Sequence, residues 1–431
     1  MVVGIDDPIQ NPNGRGERDR KEVRKMPAIV DYPTVVKEAL EEFGPSFANE
    51  PERRHFAEYL TGLIIAPKKN VSAINREFAA TTDQSCLNRW LTGADWDEEA
   101  LNWQRIEWLQ KSRETRFGKR GVIALDNVLI DHDGQFIQDV GYFWDHAEER
   151  YQIAHDYLIV NYVCPSGKHY PLEFYRFVKK TLCEEQQIEF RDPNVLFRQL
   201  VDWTVAHEIP GDFVFDSYFT HKDNLNHIQG LERAYVGDLK ANRKLWVDGR
   251  EIKAEDFAPE IAPADRKKIR IGDQTQWYFT RTVRIPGVDH KVRILLLWSH
   301  RQSVKLQKVL VTNRTGWEVI RILKVYRYRW TGTECFHRDG KQQLGMGDCQ
   351  LRSGLGQTRH LYLVFLAYSV LMRQLGQGRA HGWALERLTT IGQAGMAVLR
   401  LTLSDTLAWV IKRIEVDRWD FQEVKSHLAL P

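Results

Sequence analysis

The chain has 431 residues, more than one typical core accommodates, so two or three domains are expected. Its 43% hydrophobic content allows sizeable cores and excludes global disorder, while 61 Lys and Arg against 58 Asp and Glu leave a net charge of +3 that does not announce a nucleic-acid binder. Five scattered cysteines with no C-x-x-C pair exclude a disulfide framework and a structural zinc site, and they fit reduced thiols in a cytoplasmic protein.

Residues 1–32 are rich in Asn, Gly, Arg and Lys and have no apolar period, so they read as a disordered basic tail in which Met26 is an alternative start. The polar, charged N-terminus predicts no signal peptide. From 33 to 115 the texture is helical: Phe56, Leu60 and Leu63 follow helical spacing, and Leu87, Trp90 and Leu91 repeat it. Residues 70–91 read as two short helices joined by a Thr-Thr-Asp N-cap signal. A helix-turn-helix and a plain helical pair both fit them, and 33–115 as a whole is expected to be a helical N-terminal DNA-binding domain.

Strands follow. Residues 121–125 form a short apolar strand ending at Asp126, and the Asp-Gly of 131–134 reads as a hairpin turn holding Asp131 and Asp133. Residues 150–163 and 170–178 are further strands, 194–208 has a helical period, and 211–215 is another short apolar strand, again ending on an aspartate, Asp216. This order is the first half of a mixed α/β sheet, spanning 116–240. Polar, alternating segments over 241–305 predict a β-rich insertion subdomain, after which 306–380 resumes the core and 381–431 forms a helical C-terminal region. The most apolar run, 360–372, falls short of the roughly 20 residues needed to cross a bilayer and reads as a core helix, so no membrane is expected.

Charge is concentrated rather than spread. From Arg301 to Arg352, eleven Lys and Arg face four acids (Glu318, Glu334, Asp339 and Asp348), a local excess of seven positive charges. Such a field suits a phosphate-binding surface or, more simply, a solvated helix face. Glu334 is the odd residue within it. On a continuous helix, Arg327 seven residues before and Lys341 seven after share its stripe, with Arg338 one turn away. Taken singly, Asp126, Asp216 and Glu334 each have a structural explanation as caps or surface pairs. Together they make an all-oxygen set suited to Mg²⁺ or Mn²⁺. Two such ions roughly 4 Å apart can activate a hydroxyl and steady a leaving oxygen in phosphodiester transfer.

These residues carry a family resemblance over most of 33–380. The chain resembles the DDE transposases of insertion sequences, in the IS-four-like group that includes Tn-five relatives, and points toward its IS-seven-oh-one branch. The signature Y-x₂-R-x₃-E-x₆-K is matched in type and order by Tyr326, Arg329, Glu334 and Lys341, except that four residues separate Arg329 from Glu334. The surplus leaves open whether Arg329 or Arg327 meets phosphate, and Gly332 could absorb it by loosening the helix. The resemblance implies a ribonuclease-H-like α/β core with Asp126, Asp216 and Glu334 as catalytic metal ligands for two Mg²⁺ or Mn²⁺ ions. It further implies double-stranded DNA as partner (transposon ends and target), a homodimer on DNA, and cleavage followed by joining of the 3′-hydroxyl. In this group a tryptophan of the insertion can stack on a flipped base, a role for which Trp298 or Trp277 is available, although each also reads as core. A nuclease or resolvase without strand transfer, or an inert element-derived regulator, are the alternative functions. His337-Arg-Asp339 lacks the other kinase signatures, and Gly354 and Gly356 follow no strand, so neither motif carries a function.

Overall fold

The computed structural model describes residues 28–145, 148–272, 274–376, 384 and 386–428. Most of the expected basic tail, residues 1–27, lies outside the described residues. Its last residues do not behave as a tail: Ala28 and Ile29 are buried, and Ile29 forms a β-bridge with Phe78.

Helices α1 (Thr34–Phe43), α2 (Glu50–Ile65), α3 (Val71–Arg76), α4 (Gln84–Gly93) and α5 (Glu98–Gln110) come first. Strands β1 (Val122–Asp131), β2 (Gly141–Asp145), β3 (Arg150–Val163) and β4 (His169–Phe177) follow, then α6 (Lys180–Gln186) and α7 (Pro193–Ala206). Next come β5 (Asp212–Phe215), α8 (Lys222–Gly230) and β6 (Tyr235–Asp238). The middle of the chain adds β7 (Lys244–Val247), β8 (Arg250–Lys253), α9 (Ala254–Phe257), β9 (Lys267–Ile271), β10 (Gln274–Val283), β11 (Val292–Trp298) and β12 (Lys308–Thr312). The chain closes with α10 (Val319–Gly332), α11 (Glu334–Gln343), α12 (Gly354–Gln374), α13 (Ile391–Glu415) and α14 (Phe421–His427).

Local chemistry sets many of the helix starts. Asn49, Asn70, Asp83, Asp97, Asp192 and Ser353 each accept a bond from an early backbone N–H of the helix they precede, and Thr390 with Gln393 forms a capping box for α13. The pair α3 and α4 is joined by seven residues, longer than the three- or four-residue turn of a compact helix-turn-helix. The Asn75 amide fastens that connection by donating to Thr81 Oγ1 and the Thr82 carbonyl.

The strands build one mixed ten-stranded sheet in the order β2-β3-β1-β5-β6-β12-β11-β10-β9, with β4 pairing the second half of β3. β1, β5 and β6 are mutually parallel; the remaining pairings are antiparallel. The inserted strands β9–β11 therefore extend the core sheet through β12, and only the β7–β8 ribbon stands apart, tied on by a Trp246–Arg284 bridge. β1 and β2 do not form a hairpin. Both pair with β3, so residues 131–134 open a longer connection rather than a tight turn.

One face of the sheet is covered by α10, whose Val319, Ile322, Leu323 and Val325 pack on Ala124, Val163, Val214 and Leu310. The other face meets the main core, which runs without a break from the N-terminal helices through α7 to α12. Helix α12 is buried nearly all round, as an apolar run without a polar face requires. α13 is long and apolar enough to cross a bilayer, with only 28% of its apolar window buried, yet it packs against α2, α11, α12 and α14.

Candidate active site

β1 and β5 run parallel in register up to Leu125 and Phe215, and β5 and β6 up to Phe215 and Gly237. The next residue on each strand is acidic: Asp126, Asp216 and Asp238. Parallel neighbours in register bring equivalent positions side by side, so three aspartates line one edge of the sheet, where the strands part. β1 itself continues to Asp131, beyond the strand end expected at Asp126; it is the β1–β5 pairing that ends there.

The fourth acid arrives from the helical cover. The α10 helix stops at Gly332 and α11 starts at Glu334, with Thr333 (φ −102°, ψ −65°) between them. A Cβ at Gly332 would stand 2.8 Å from Ala124 Cβ and 3.0 Å from Val163 Cγ2. Glycine therefore lets α10 lie against β1 and β3, and the helix breaks directly after it, where the surplus residue was expected to be absorbed. As the first residue of α11, Glu334 carries its negative charge at the positive end of the helix dipole.

The helix break also separates the two arginines. Arg329 donates from Nη1 to Asp126 Oδ2 at 2.6 Å, and the same nitrogen lies 3.7 Å from Glu334 Oε1. Arg327 is exposed, with its guanidinium beside the Gly272 turn, so the continuous stripe of Arg327, Glu334 and Lys341 does not form. Thr333 fixes the corner: its hydroxyl donates to the Arg329 carbonyl at 2.9 Å and lies 3.4 Å from Asp126 Oδ2.

Electrostatics mark this cluster as crowded with negative charge. Burial, then Asp216, and to a smaller extent Glu334 push Asp126 up to about 7, against the pull of Arg329. Burial also raises Asp216, although it accepts backbone N–H bonds from Tyr218 and Phe219. Arg329, despite burial, is held more firmly protonated by Asp126, Tyr326 and both other carboxylates. His337, one turn beyond Glu334, is pushed down to about 3 by burial, Lys341 and Arg329, so its ring is neutral at physiological pH.

The other expected residues fall in three places. The Tyr326 hydroxyl donates to Asp238 Oδ2 at 3.1 Å and accepts from Lys308 Nζ at 2.9 Å; Lys308 also pairs with Asp238 at 2.9 Å. Asp238 and Lys308 were not expected from sequence, because nothing short of the β5–β6 and β6–β12 register reveals that they meet Tyr326. Arg338 pairs with its neighbour Asp339 at 3.1 Å, and Lys341 is exposed at the rim of a cavity. Trp298 is wholly buried with Arg266 stacked 4.1 Å above its ring, so it presents no face to a base here; Trp277, its cross-strand partner, lies half-buried under Arg301.

The donor set fits a hard divalent cation: carboxylate oxygens only, mutually repelling, with an arginine supplying part of the missing positive charge. Among the described residues, no group of three or more His, Cys, Asp or Glu is already drawn close enough to hold a metal ion, consistent with Arg329 occupying Oδ2 of Asp126.

Residues 192–370 match the family model of the transposase DDE domain. The match supports a DDE transposase, and with it DNA recombination by transposition. It takes in Asp216 and Glu334 and begins after Asp126. No curated protein matches the chain.

Proposed function

We propose that the chain is a metal-dependent DNA transposase of the IS-four-like group, which cleaves the ends of its element and joins the freed 3′-hydroxyl to target DNA. The observation that carries this reading is that Asp126 and Glu334 meet on Arg329 from a strand and a broken helix, with Asp216 beside Asp126 on the adjacent parallel strand. The order β4-β3-β1-β5-β6, with one antiparallel meander leading into a parallel set, supports a ribonuclease-H-like core. Asp126, Asp216 and Glu334 would hold Mg²⁺ or Mn²⁺, which when bound activates the attacking hydroxyl and stabilises the leaving oxygen.

The chain's own groups prepare that chemistry. Arg329 offsets part of the charge of Asp126 and Glu334, and its guanidinium fork would be available to a DNA phosphate once the carboxylates hold a cation. Asp238 orients the Tyr326 phenol and the Lys308 ammonium beside the same edge, supplying further donors for the DNA backbone. In the N-terminal region, α4 exposes Gln84, Ser85 and Arg89, residue types suited to DNA contact, and assembly as a homodimer on DNA belongs to the same proposal.

The test is to incubate the purified protein with Mg²⁺ or Mn²⁺ and duplexes carrying the element's own ends. Cleavage with strand joining supports a transposase, whereas cleavage without joining identifies a nuclease or resolvase. No cleavage with either metal would leave a DNA-binding regulator and sink the proposal.

A further inference from the structure

Two of the three strand-end aspartates already hold a cation. Asp126 and Asp238 stand two strands apart, about 10 Å at the usual strand spacing, with Asp216 between them. On one flank Arg329 donates to Asp126. On the other, Lys308 donates to Asp238, and Tyr326, one turn before Arg329 on α10, closes a triangle with both. Among the described residues, Asp216 in the middle pairs with no Lys or Arg, and its side chain accepts only from the backbone N–H groups of Tyr218 and Phe219.

The backbone pins Asp238 to Asp216. The buried Thr220 hydroxyl lies 2.9 Å from the Asp216 carbonyl and 2.5 Å from the Asp238 carbonyl, so one side chain ties the two strand ends together. Gly237 makes room for it, since a Cβ there would stand 2.8 Å from both Thr220 Oγ1 and Phe215 Cε2. The charge of Asp238 therefore reaches Asp216, whose carboxyl is lifted by burial first and by Asp238 as well. Lys308 offsets that charge, and its side chain is 34% exposed, within reach of a ligand from solvent. A phosphate that binds the ammonium takes over its charge, whether or not the bond to Asp238 survives.

We propose that Asp238 is a positioning residue that couples DNA binding to cation binding through Lys308. A backbone phosphate takes over the Lys308 ammonium, and the Asp238 charge is left uncompensated beside Asp216. The carboxylates of Asp126, Asp216 and Glu334 then hold Mg²⁺ or Mn²⁺ more tightly, and by linkage the duplex is held more tightly, by the same factor, when the cation is bound. Asp238 acts through its charge, without touching the cation. The inference rests on the DNA-processing reading above, and it adds how the chain keeps its acids from filling with cation before DNA arrives.

Fluorescence anisotropy with the full chain and a plain duplex tests it, at matched ionic strength in EDTA and in Mg²⁺, for the parent, Asp238→Asn and Lys308→Met. The ratio of the two affinities measures the coupling, and the ordinary screening of DNA by Mg²⁺ is common to all three proteins. Each substitution should reduce that ratio about five- to tenfold, the lower part of the range usual for coupled sites, and combining them should reduce it no further. In EDTA the two should part. Asp238→Asn frees the ammonium and should bind the duplex more tightly, whereas Lys308→Met should bind it more weakly, with a salt slope shallower by about one. A purely structural Asp238 would instead weaken binding in both buffers. An unchanged ratio in either variant, or weaker duplex binding by Asp238→Asn in EDTA, overturns the coupling but leaves the transposase reading standing. Failure of the parent to bind the duplex in either buffer overturns both.

Discussion

Two arginines organise this molecule, one wholly and one partly buried, and they do so in opposite ways. Arg105, in the seam between α5 and α12, is wholly buried and its bonds go to neutral oxygens. It donates to Asn102 Oδ1 at 2.6 and 3.1 Å, Ser369 Oγ at 2.8 Å and the Leu172 carbonyl at 3.3 Å, with the Phe365 ring 5.6 Å away. Burial pulls it down to about 10, which still leaves it charged at neutral pH. Arg329 is only partly buried and sits among carboxylates that repel one another. The first centre is closed: its bonds to Ser369 and the Leu172 carbonyl join α5 to the core, its bonds to Asn102 brace it within α5, and no further ligand is needed. The second is open, because its acids outnumber its cation. Excess unbalanced charge at a rigid strand edge, rather than burial of a charge as such, separates a reacting site from a structural one.

The sharpest way to break this comparison is to neutralise the acids. Asp126→Asn, Asp216→Asn and Glu334→Gln should each lower strand cleavage on the order of a thousandfold or more, while thermal stability holds or rises because repulsion is relieved. Cleavage at the original rate in any one of them would remove that residue from the site. Arg105→Met should do the reverse. It should cost about 2–4 kcal/mol of stability, since Asn102 Oδ1 and Ser369 Oγ lose their donor inside the core while the Leu172 carbonyl keeps only the Asn102 amide, and at a temperature where it remains folded its cleavage chemistry should be unchanged. A melting temperature within a degree or two of the parent protein would show that the seam does not depend on that cation.

Arg329→Gln should be milder, about ten- to a hundredfold in cleavage, as befits a group that positions carboxylates and phosphate. It carries a second signature. With the guanidinium gone, added Mg²⁺ no longer competes with it for Asp126 and Glu334, so Mg²⁺ should raise the melting temperature of Arg329→Gln more than that of the parent. An equal or smaller rise would mean that Arg329 does not stand where the cation goes.

How much of this could be read in advance divides along the same line. Strands β1, β3, β4, β5 and β10–β12 and the core helix α12 follow from short-range periodicity, and the three acids stand out as strand-end and basic-segment exceptions. What could not be read is whatever depends on contact between distant segments. Asp238 and Lys308 carry no local signal, and their meeting with Tyr326 needs the β5–β6–β12 register. The choice of Arg329 over Arg327 hangs on a helix break at Thr333, and Gly332 shows its purpose only when Ala124 and Val163 are seen beneath it. The insertion looks separable in sequence because its segments are polar and alternate, yet its strands continue the core sheet.

The smallest effect probes the closed centre through its pH dependence. Glu173, next to Arg105 in that seam, accepts from the Tyr362 hydroxyl at 2.6 Å, its neighbouring Phe174 N–H at 2.8 Å and Asn102 at 3.2 Å. Burial nevertheless lifts its carboxyl to about 7. The folded state therefore binds a proton that the unfolded chain releases near its ordinary value, and the resulting stability is complete below about 4.5 and lost as pH rises through about 7. Glu173→Gln mimics the protonated form at every pH. Relative to the parent it should gain about 1–3 kcal/mol between pH 5 and pH 8, the upper end being the whole shift converted at 1.36 kcal/mol per unit. Melting curves of both proteins across that range would show it as a widening gap in favour of Gln. A gap that stays constant with pH would mean that the seam already holds an ionised carboxylate, and that it is less closed than its neutral bonding partners indicate.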